Sequence, residues 1–231
     1  MNLLITGGSG FFGRHFARAV DHLFDRVIIY SRDEAKQAAM REENDSPNLR
    51  FFIGDVRDQQ RLARAMRGVD VVVHAAALKR IETCRMQPDE CIKTNVIGTM
   101  NVVEAAIQQG VGRVVFLSTD KAFQPCSIYG NSKAAAESLV LNANNISGRD
   151  GTKFSATRYG NVAGSTGSVI PRWRSMLASG YKKLPVTDPE CTRFWMSVDD
   201  ASLLVTELIQ RMKTSAGGEL VIPDLPAYRV G

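Results

Sequence analysis

Short apolar runs alternate with longer amphipathic segments through the first two thirds of the chain. The runs predict strands at residues 3–5, 26–30, 49–53, 71–73, 114–117 and 154–158, and the segments between them predict helices at 12–23, 33–43, 59–66, 89–109 and 128–142. Because these strands lack polar alternation, both faces of their sheet are expected to be covered. Elements in this order predict an α/β fold with a doubly wound parallel sheet.

The last third of the chain is less regular. Residues 160–188 are rich in Gly, Ser and Pro, and they precede a predicted helix at 198–212 and a predicted strand at 219–222. A long irregular stretch in a compact domain is usually a functional loop, and this one follows strand ends that bind ligands in such sheets. We expect a dinucleotide-binding domain at 1–160 and a substrate-binding region at 161–231 that is interleaved with the end of the sheet.

Composition narrows the class of protein. Of 231 residues, 44% are hydrophobic and 23% charged, which excludes disordered, collagen-like and coiled-coil proteins. The net charge of +5 is too small and dispersed to indicate nucleic-acid binding, but it suits an anionic ligand. The four cysteines are scattered without metal or disulfide spacing, and no apolar run approaches the roughly 18–20 residues that span a bilayer. We expect a soluble cytoplasmic protein without a metal site.

A glycine-rich turn follows the first predicted strand and opens the first predicted helix. Its glycines can form a tight turn, admit a diphosphate to the backbone and let helix and strand pack closely. The exposed amides at the helix start favour negative charge. An ordinary turn without a ligand is the alternative. The cofactor-binding residues expected here are Gly7, Ser9, Gly10, Phe11, Phe12 and Gly13.

The end of the second strand indicates which dinucleotide is bound. Ser31 and Arg32, with Lys36 one turn later, fit a 2′-phosphate, which favours NADP over NAD. Asp33 supports the alternative, NAD, because an acid at this position can bind a ribose hydroxyl. Its place directly before a helix equally fits a capping residue.

Two further strand ends are candidates for the cofactor site. Asp55 and Val56 follow the third strand, where an adenine amino group can be held, although Asp55 equally fits an ordinary turn. Ala75 begins a run of three alanines after the fourth strand, and these are small enough for a cofactor to lie against the backbone. His74, just before them, is expected to pack at the strand end.

Tyr129 and Lys133 are four residues apart and so share one helix face. A nearby ammonium lowers the pKa of a phenol, so such a pair can act as a base near neutral pH. The spacing alone is common in helices. Here it follows a strand that ends in Ser118 and Thr119, whose hydroxyls could bind a substrate hydroxyl.

Together these motifs resemble the extended short-chain dehydrogenase/reductases, and most closely the UDP-N-acetylglucosamine 4,6-dehydratases that invert carbon 5. The resemblance spans nearly the whole chain and implies a Rossmann domain. The matching segments are 6–13, 30–34, 51–58, 74–79, 90–95, 118–122, 158–162 and 192–195. The run Thr119-Asp120-Lys121, eight residues before Tyr129, is the most diagnostic.

The resemblance implies a division of catalytic roles. Thr119, Tyr129 and Lys133 would oxidise the sugar at carbon 4 with NADP⁺. Lys121 would then remove the proton on carbon 5, and Asp120 would protonate the departing 6-hydroxyl before hydride returns to carbon 6. Dehydration needs such an extra acid and base, whereas a dehydrogenase or a 4-epimerase does not. A solvated turn with a weak ion pair is the alternative for Asp120 and Lys121.

Further contacts are implied only by the resemblance. Lys79, Val162, Tyr129 and Lys133 would contact the cofactor, and Lys93 equally fits a solvated helix lysine. The substrate-binding residues implied are Lys93, Thr94, Asn161, Thr166, Val169 and Arg193.

Two departures from the family pattern qualify these expectations. Thr166 stands where the family usually carries an arginine near the substrate, which removes a charged contact to the nucleotide diphosphate. The family also continues past residue 231 with a helix and further substrate-binding residues, so a fragment or a shortened homologue is expected.

Three functions remain open from the sequence. The first is NADP-dependent dehydration of UDP-N-acetylglucosamine, by a homo-oligomer, for surface glycans or flagellin glycosylation. The second is UDP-sugar 4-epimerisation or a retaining 4,6-dehydration. The third is a catalytically weak NADP-binding scaffold.

Overall fold

The computed structural model describes residues 1–186 and 188–230. Its strands are β1 (Asn2–Thr6), β2 (Arg26–Ser31), β3 (Leu49–Ile53), β4 (Val71–His74), β5 (Arg113–Leu117), β6 (Lys153–Thr157), β7 (Asn161–Val162), β8 (Thr192–Met196), β9 (Leu220–Val221) and β10 (Ala227–Arg229). Its helices are α1 (Phe11–Val20), α2 (Glu34–Glu42), α3 (Gln59–Ala65), α4 (Ile81–Met86), α5 (Pro88–Ile92), α6 (Gly98–Gln109), α7 (Ile128–Ser147), α8 (Val169–Ala178) and α9 (Val198–Arg211). None of the helices in these two ranges has both the length and the apolar character needed to cross a bilayer.

The main sheet has seven strands in the order β3-β2-β1-β4-β5-β6-β9, and every pairing is parallel. The doubly wound α/β fold predicted from the apolar runs is therefore confirmed. Between β1 and β4 the order of the strands reverses, and ligands of such sheets bind at the carboxyl ends of the strands beside this point. The turns after β1, β4 and β5 all open at this edge.

Two cores cover the two faces of the sheet. Successive strand residues point to opposite faces, so Leu4 and Val72 pack with α3, α6 and α7. Leu3 and Val71 instead pack with α1 and α9. All four of these side chains are fully buried. Because both faces of the sheet are buried, the strand sequences are unbroken apolar runs.

One predicted helix is interrupted in the structure. The segment expected as a single helix at 89–109 consists of α5, a π-helical turn at Lys93–Ile97 and α6. Asn95 in this turn is buried, and its side chain accepts a hydrogen bond from the Leu78 amide at 2.8 Å and donates to the Leu78 carbonyl at 2.9 Å. The turn thereby fixes the loop after β4, which lies at the carboxyl edge.

The stretch expected to be irregular contains short elements that complete a second sheet. Strands β10, β8 and β7 form this sheet in that order, and β8 is antiparallel to β10 but parallel to β7. Helix α8 has no buried residue, which explains its weak sequence signal. The following elements α9 and β9 return to the main sheet, because β9 pairs with β6.

Candidate active site at the carboxyl edge of the sheet

A cleft of about 900 Å³ opens at the carboxyl edge, between the main sheet and the loop that precedes α8. It is lined by the glycine-rich turn, the ends of β2, β4 and β5, the start of α7 and several residues of the segment between Tyr159 and Arg172. The cleft therefore brings together residues from both halves of the chain.

The glycine-rich turn is shaped by contacts that exclude a side chain. Gly7 has a φ of +67°, and a Cβ there would lie 2.9 Å from the Ala76 backbone. A Cβ at Gly13 would lie 2.6 Å from Cα of Gly8, so α1 packs directly on the turn. Gly10 is the N-cap of α1 and offers no side-chain cap, which leaves the first amides available to an anion. Ser9, Phe11 and Phe12 also line the cleft.

The two charged residues directly after β2, Arg32 and Asp33, differ in how far their side chains are already bound by other residues. Asp33 caps α2 by accepting a hydrogen bond from the Lys36 amide at 3.0 Å, and it also pairs with the Lys36 ammonium. The hydrogen bond from the Lys36 side chain holds the pKa of Asp33 below its usual value. Arg32 is 51% exposed, and its nearest acidic oxygen, on Asp55, is 3.5 Å away. The capping alternative for Asp33 is confirmed, and Arg32 is the more accessible charge.

The side chains of Ser31 and Asp55 both accept hydrogen bonds from other residues of the protein. The Ser31 hydroxyl is buried and accepts a hydrogen bond from Gln37 at 2.9 Å. Burial opposes ionisation of Asp55, but hydrogen bonds from Arg57 hold the pKa of Asp55 below its usual value. Both residues line the cleft, as do Lys36, Val56, Ala75 and Lys79. The pKa of Lys79 is lowered by burial and by its neighbour Arg80.

Three buried hydroxyls in the cleft have no hydrogen-bond partner among the described residues. They are Oγ1 of Thr94, in the π-helical turn, Oγ of Ser118, after β5, and Oγ of Ser168, just before α8. An unsatisfied buried polar group costs about 1–3 kcal/mol, so such groups normally bind something. The unsatisfied hydroxyls suit polar ligands at the strand ends, and the glycine cradle fits the diphosphate of a dinucleotide.

Helix α7 carries Tyr129 and Lys133 into the same cleft. Ser127 caps the helix by accepting a hydrogen bond from the Gly130 amide at 3.1 Å. A Cβ at Gly130 would lie only 2.5 Å from the Lys121 carbonyl oxygen. The glycine thus lets the helix start pack directly on the turn that follows β5.

Burial governs the charge states of the Tyr–Lys pair. It lowers the pKa of Lys133 to about 7 and raises the pKa of Tyr129 to about 12, against a smaller lowering by the Thr119 side chain. The ammonium of Lys133 donates to the Leu117 carbonyl at 2.6 Å and lies 3.9 Å from the centroid of the Phe116 ring. The lowered phenol pKa expected from the sequence is therefore not found, because Lys133 points to the strand end.

Asp120 and Lys121 form a connected pair beside this helix start. Oδ1 of Asp120 accepts hydrogen bonds from the Thr119 hydroxyl and from Nζ of Lys121, both at 2.9 Å. Nζ of Lys121 also donates to Oδ1 of Asn161 at 3.3 Å. The side chains are only 25% and 30% exposed. They are not the solvated surface pair considered as the alternative.

The residues implied to bind substrate are not all brought to the cleft. Thr94, Asn161 and Thr166 line it, as does Val162, which is implied to contact the cofactor. Val169 is the first residue of α8 and does not line it.

Lys93 and Arg193 lie elsewhere. Lys93 is exposed and pairs with Asp89 at 3.0 Å and Glu90 at 3.1 Å, which matches the solvated-lysine alternative. The Arg193 side chain is exposed and binds Cys191 and the Thr192 carbonyl. In this structure the two side chains satisfy local partners instead of lining the cleft.

Among the cleft residues that sequence reasoning missed are Tyr159, Arg80 and Arg172. Tyr159 follows β6, and burial raises the pKa of its phenol. Its position at the strand end next to β5 is a signal that could have identified it. Arg80 and Arg172 also line the cleft, but no local sequence feature marks them. His74 packs at the strand end as expected, between the hydroxyls of Thr6 and Thr99.

A family model described as "Polysaccharide biosynthesis protein" matches residues 3–231. The UDP-N-acetylglucosamine 4,6-dehydratase (inverting) of Campylobacter jejuni is 46% identical over 231 residues, which cover 99% of this chain and 68% of the relative. The UDP-glucose 4-epimerase of Rickettsia canadensis is 42% identical, with 99% of this chain and 67% of the relative covered.

Solved structures share the fold over nearly the whole chain. Pen from Bacillus thuringiensis superposes with a TM-score of 0.93 at 38% identity, covering 99% of this chain and 69% of that protein. DesIV, a dTDP-glucose 4,6-dehydratase from Streptomyces venezuelae with NAD and TYD bound, superposes with a TM-score of 0.88 at 30% identity, covering 99% and 77%.

Proposed function

The chain belongs to the polysaccharide biosynthesis protein family, among the extended short-chain dehydrogenase/reductases, and we propose that it dehydrates UDP-N-acetylglucosamine with NADP as cofactor. The product would be a 4-keto-6-deoxy sugar nucleotide with inverted configuration at carbon 5. Such products supply surface glycan or flagellin glycosylation, in keeping with the family description. We further propose that the enzyme acts as a homo-oligomer.

The observation that carries the proposal is the connected set Thr119, Asp120 and Lys121 beside Tyr129. A hydroxyl, an amine and a phenol line one cleft with the glycine-rich turn, and the carboxylate of Asp120, which does not itself line the cleft, is hydrogen-bonded to the hydroxyl and the amine. Oxidation at one carbon needs only the phenol and its partners. The additional carboxylate and amine, hydrogen-bonded to each other, match the acid and base that an elimination requires.

For the cofactor, the residues present support NADP in preference to NAD. The Asp33 carboxylate is already bound by the Lys36 amide and ammonium, so it is a poor acceptor for a ribose hydroxyl. Arg32 is exposed on the cleft and can bind a 2′-phosphate through a charge-assisted contact. Ser31 has a weaker case, because its hydroxyl already accepts from Gln37. When bound, NADP would supply the acceptor for hydride from carbon 4 and the donor of hydride to carbon 6.

In the oxidation step, Tyr129 would accept the proton of the 4-hydroxyl while Thr119 holds that hydroxyl. A phenol whose pKa is about 12 is a poor base at neutral pH unless positive charge approaches it. Lys133 lies one helical turn away with its pKa lowered to about 7, so it can supply a proton or a charge. We propose that ligand binding turns its ammonium from Leu117 toward the phenol.

In the elimination step, the Asp120–Lys121 pair would supply both catalytic groups. Transfer of one proton across the 2.9 Å contact converts the ammonium and carboxylate into an amine and a carboxylic acid. The Lys121 amine then takes the proton from carbon 5, and Asp120 gives its proton to the departing 6-hydroxyl, which leaves as water. The pair returns to its ionic form, and inversion requires that the new proton reach carbon 5 from the face opposite Lys121.

Asn161 and Val162 are the proposed contacts to the ligands on the other side of the cleft. Asn161 bonds to Lys121 and also donates to the Phe194 carbonyl of β8 at 3.4 Å, which adds to the pairing of β7 with β8. A substrate bound there would lie against the base. Thr94 and Thr166 are the remaining cleft residues that we assign to the substrate.

The test is to incubate the purified chain with UDP-N-acetylglucosamine and NADP⁺ in deuterated water. A dehydratase forms a product that lacks one water, seen by mass spectrometry, and carries deuterium at an inverted carbon 5, seen by NMR. Retained configuration would indicate the retaining dehydration. Binding of NADP without any turnover would contradict the proposal and favour a scaffold.

A 4-epimerase is the second candidate, because relatives with that name are 42–45% identical to this chain. Epimerisation needs oxidation and reduction at carbon 4 but no acid and base for elimination. The same incubation would then give a product of unchanged mass. The Asp120–Lys121 pair favours the dehydratase.

A further inference from the structure

Two arginines that the proposed chemistry does not use lie on the rim of the cleft. Arg80 is in the loop after β4, and Arg172 is in the first turn of α8. We propose that Arg80 and Arg172 bind the diphosphate of the nucleotide sugar, in place of the charge that is absent at Thr166. The inference rests on the proposed function and concerns the same cleft.

Arg80 reaches across the cleft to the loop that contains Thr166. A Cβ at Gly167 would lie 2.8 Å from Nη2 and 3.0 Å from Nε of Arg80. Gly167 has a φ of +75°, which favours glycine, and the absence of a side chain leaves room for the guanidinium. The charge of Arg80 therefore lies directly beside the position at which a charged residue is expected from the family resemblance.

Arg172 adds a second charge at the start of α8. Ser168 is the N-cap of this ten-residue helix, but its hydroxyl makes no capping bond. The same Oγ is buried without a hydrogen-bond partner among the described residues, and Ser168 lines the cleft. A cation near the positive end of a helix is unfavourable alone, and a bound anion would relieve it.

Neither guanidinium has a protein counter-charge within 4.0 Å in ranges 1–186 and 188–230. Other arginines at or beside the cleft do, since Arg32 pairs with Asp55 and Arg158 with Glu137. Glu82 lines the same rim without forming such a pair. Two unpaired guanidiniums, a helix start and an unsatisfied hydroxyl thus converge on one part of the cleft.

A diphosphate matches this arrangement better than a single carboxylate. It offers several acceptor oxygens to two planar guanidinium forks, which bind phosphate through paired hydrogen bonds. A bound dinucleotide would place its own diphosphate at the glycine-rich turn. A second anion in the same cleft, as in a nucleotide sugar, therefore needs a second set of donors.

The experiment is to titrate the chain, saturated with NADP⁺, with UDP and with uridine in a calorimeter. Arg80→Gln and Arg172→Gln are each expected to weaken UDP binding about tenfold, which corresponds to about 1.4 kcal/mol. Uridine lacks the phosphates, so its affinity is expected to stay the same. Arg85→Gln, in α4 but outside the cleft, is the matched control and should leave both affinities unchanged.

A rescue variant separates charge from loop structure. Thr166→Arg in the Arg80→Gln background should restore most of the lost UDP affinity, because it returns a guanidinium to the neighbouring position. Equal losses for UDP and uridine, or a loss of NADP⁺ affinity, would show that Arg80 acts through the fold and would overturn the inference.

The titration distinguishes a wrong diphosphate subsite from a wrong proposed function. If the parent chain binds UDP and both variants bind it equally well, the diphosphate subsite is wrong and the proposed function stands. If the parent chain binds neither UDP nor UDP-N-acetylglucosamine, the proposed function is wrong and the subsite with it.

Discussion

Gly130 of α7 lies so close to Lys121 that an added Cβ would fall 2.5 Å from the Lys121 carbonyl oxygen. The helix side of this contact carries Tyr129 and Lys133, and the turn side carries Asp120 and Lys121. The contact therefore sets the distance between the groups proposed for oxidation and those proposed for elimination. A backbone carbonyl cannot give way as a flexible side chain can, so the helix or the turn must shift.

Gly130→Ala is expected to lower dehydration at saturating substrate by about 10²-fold, since a displacement of roughly 1 Å in a catalytic site has effects of that size. NADP affinity should change less than turnover, because the glycine-rich turn is not part of the contact. Steady-state kinetics and a cofactor titration measure the two quantities. Asn131→Ala, an exposed neighbour on the same helix, is the control, and an equal loss in both variants would contradict the explanation.

Lys121→Ala should stop dehydration while oxidation at carbon 4 continues, because oxidation precedes proton removal. We expect a fraction of bound NADP⁺ to be reduced, seen by its absorbance, and a fall of at least about 10²-fold in water loss. Lys93→Ala serves as the control, because that side chain lies outside the cleft in an ion pair with Asp89. Dehydration by Lys121→Ala at the parent rate would remove this residue from the mechanism.

Arg32→Ala should weaken NADP binding much more than NAD binding. Loss of a charge-assisted contact of about 1.5–3 kcal/mol corresponds to roughly a tenfold to hundredfold weaker affinity. Fluorescence titrations of both cofactors measure the ratio, with the exposed Arg64→Ala as the control. Equal weakening of the two cofactors would assign Arg32 to something other than the 2′-phosphate.

Stability should fall as the pH drops below about 6.5, because His74 is held neutral in the folded protein. Complete burial, and the charge of Lys133, lower the pKa of His74 to about 3 from 6.5. The unfolded chain therefore binds one more proton between these values, and its ionisation favours unfolding as the pH decreases. The stability that depends on His74 is fully present above pH 6.5 and is lost progressively toward pH 3.

The measurement is the free energy of unfolding in urea at pH 6.5 and near pH 5, above most carboxyl pKa values. The parent is expected to lose up to about 1.4 kcal/mol per pH unit from this one group. His74→Gln should show a flatter dependence at lower overall stability, whereas the exposed His22→Gln should follow the parent. Parallel curves for the parent and His74→Gln would assign the acid sensitivity to other groups.

The main sheet and the glycine-rich turn were predictable because their determinants are local. Apolar runs such as 71–73 are buried on both faces, and the turn needs glycine at Gly7 for its positive φ and at Gly13 for close packing. The second sheet was not predictable, because β7 and β10 are two and three residues long and depend on pairing with β8.

Within the site, the sequence predicted which residues line the cleft better than it predicted the contacts and burial of their side chains. Thr119, Lys121 and Tyr129 were expected in one cleft and line one. The partner of Lys133 and the burial that raises the pKa of Tyr129 depend on packing that no spacing encodes. Arg80 was missed for the same reason, since its contact with Gly167 exists only after the two halves of the chain meet.

The pairing of β9 with β6 also constrains how the protein is made. As a nascent chain grows, α7 and β6 are synthesised long before residues 220 and 221. Until those residues leave the ribosome, the backbone amides and carbonyls along the outer side of β6 have no neighbour, and such a bare edge invites pairing with another chain. Helix α9, which covers one face of the sheet, is also synthesised after β6. A chain whose translation stalls after α8 would therefore be an intermediate that is prone to aggregate.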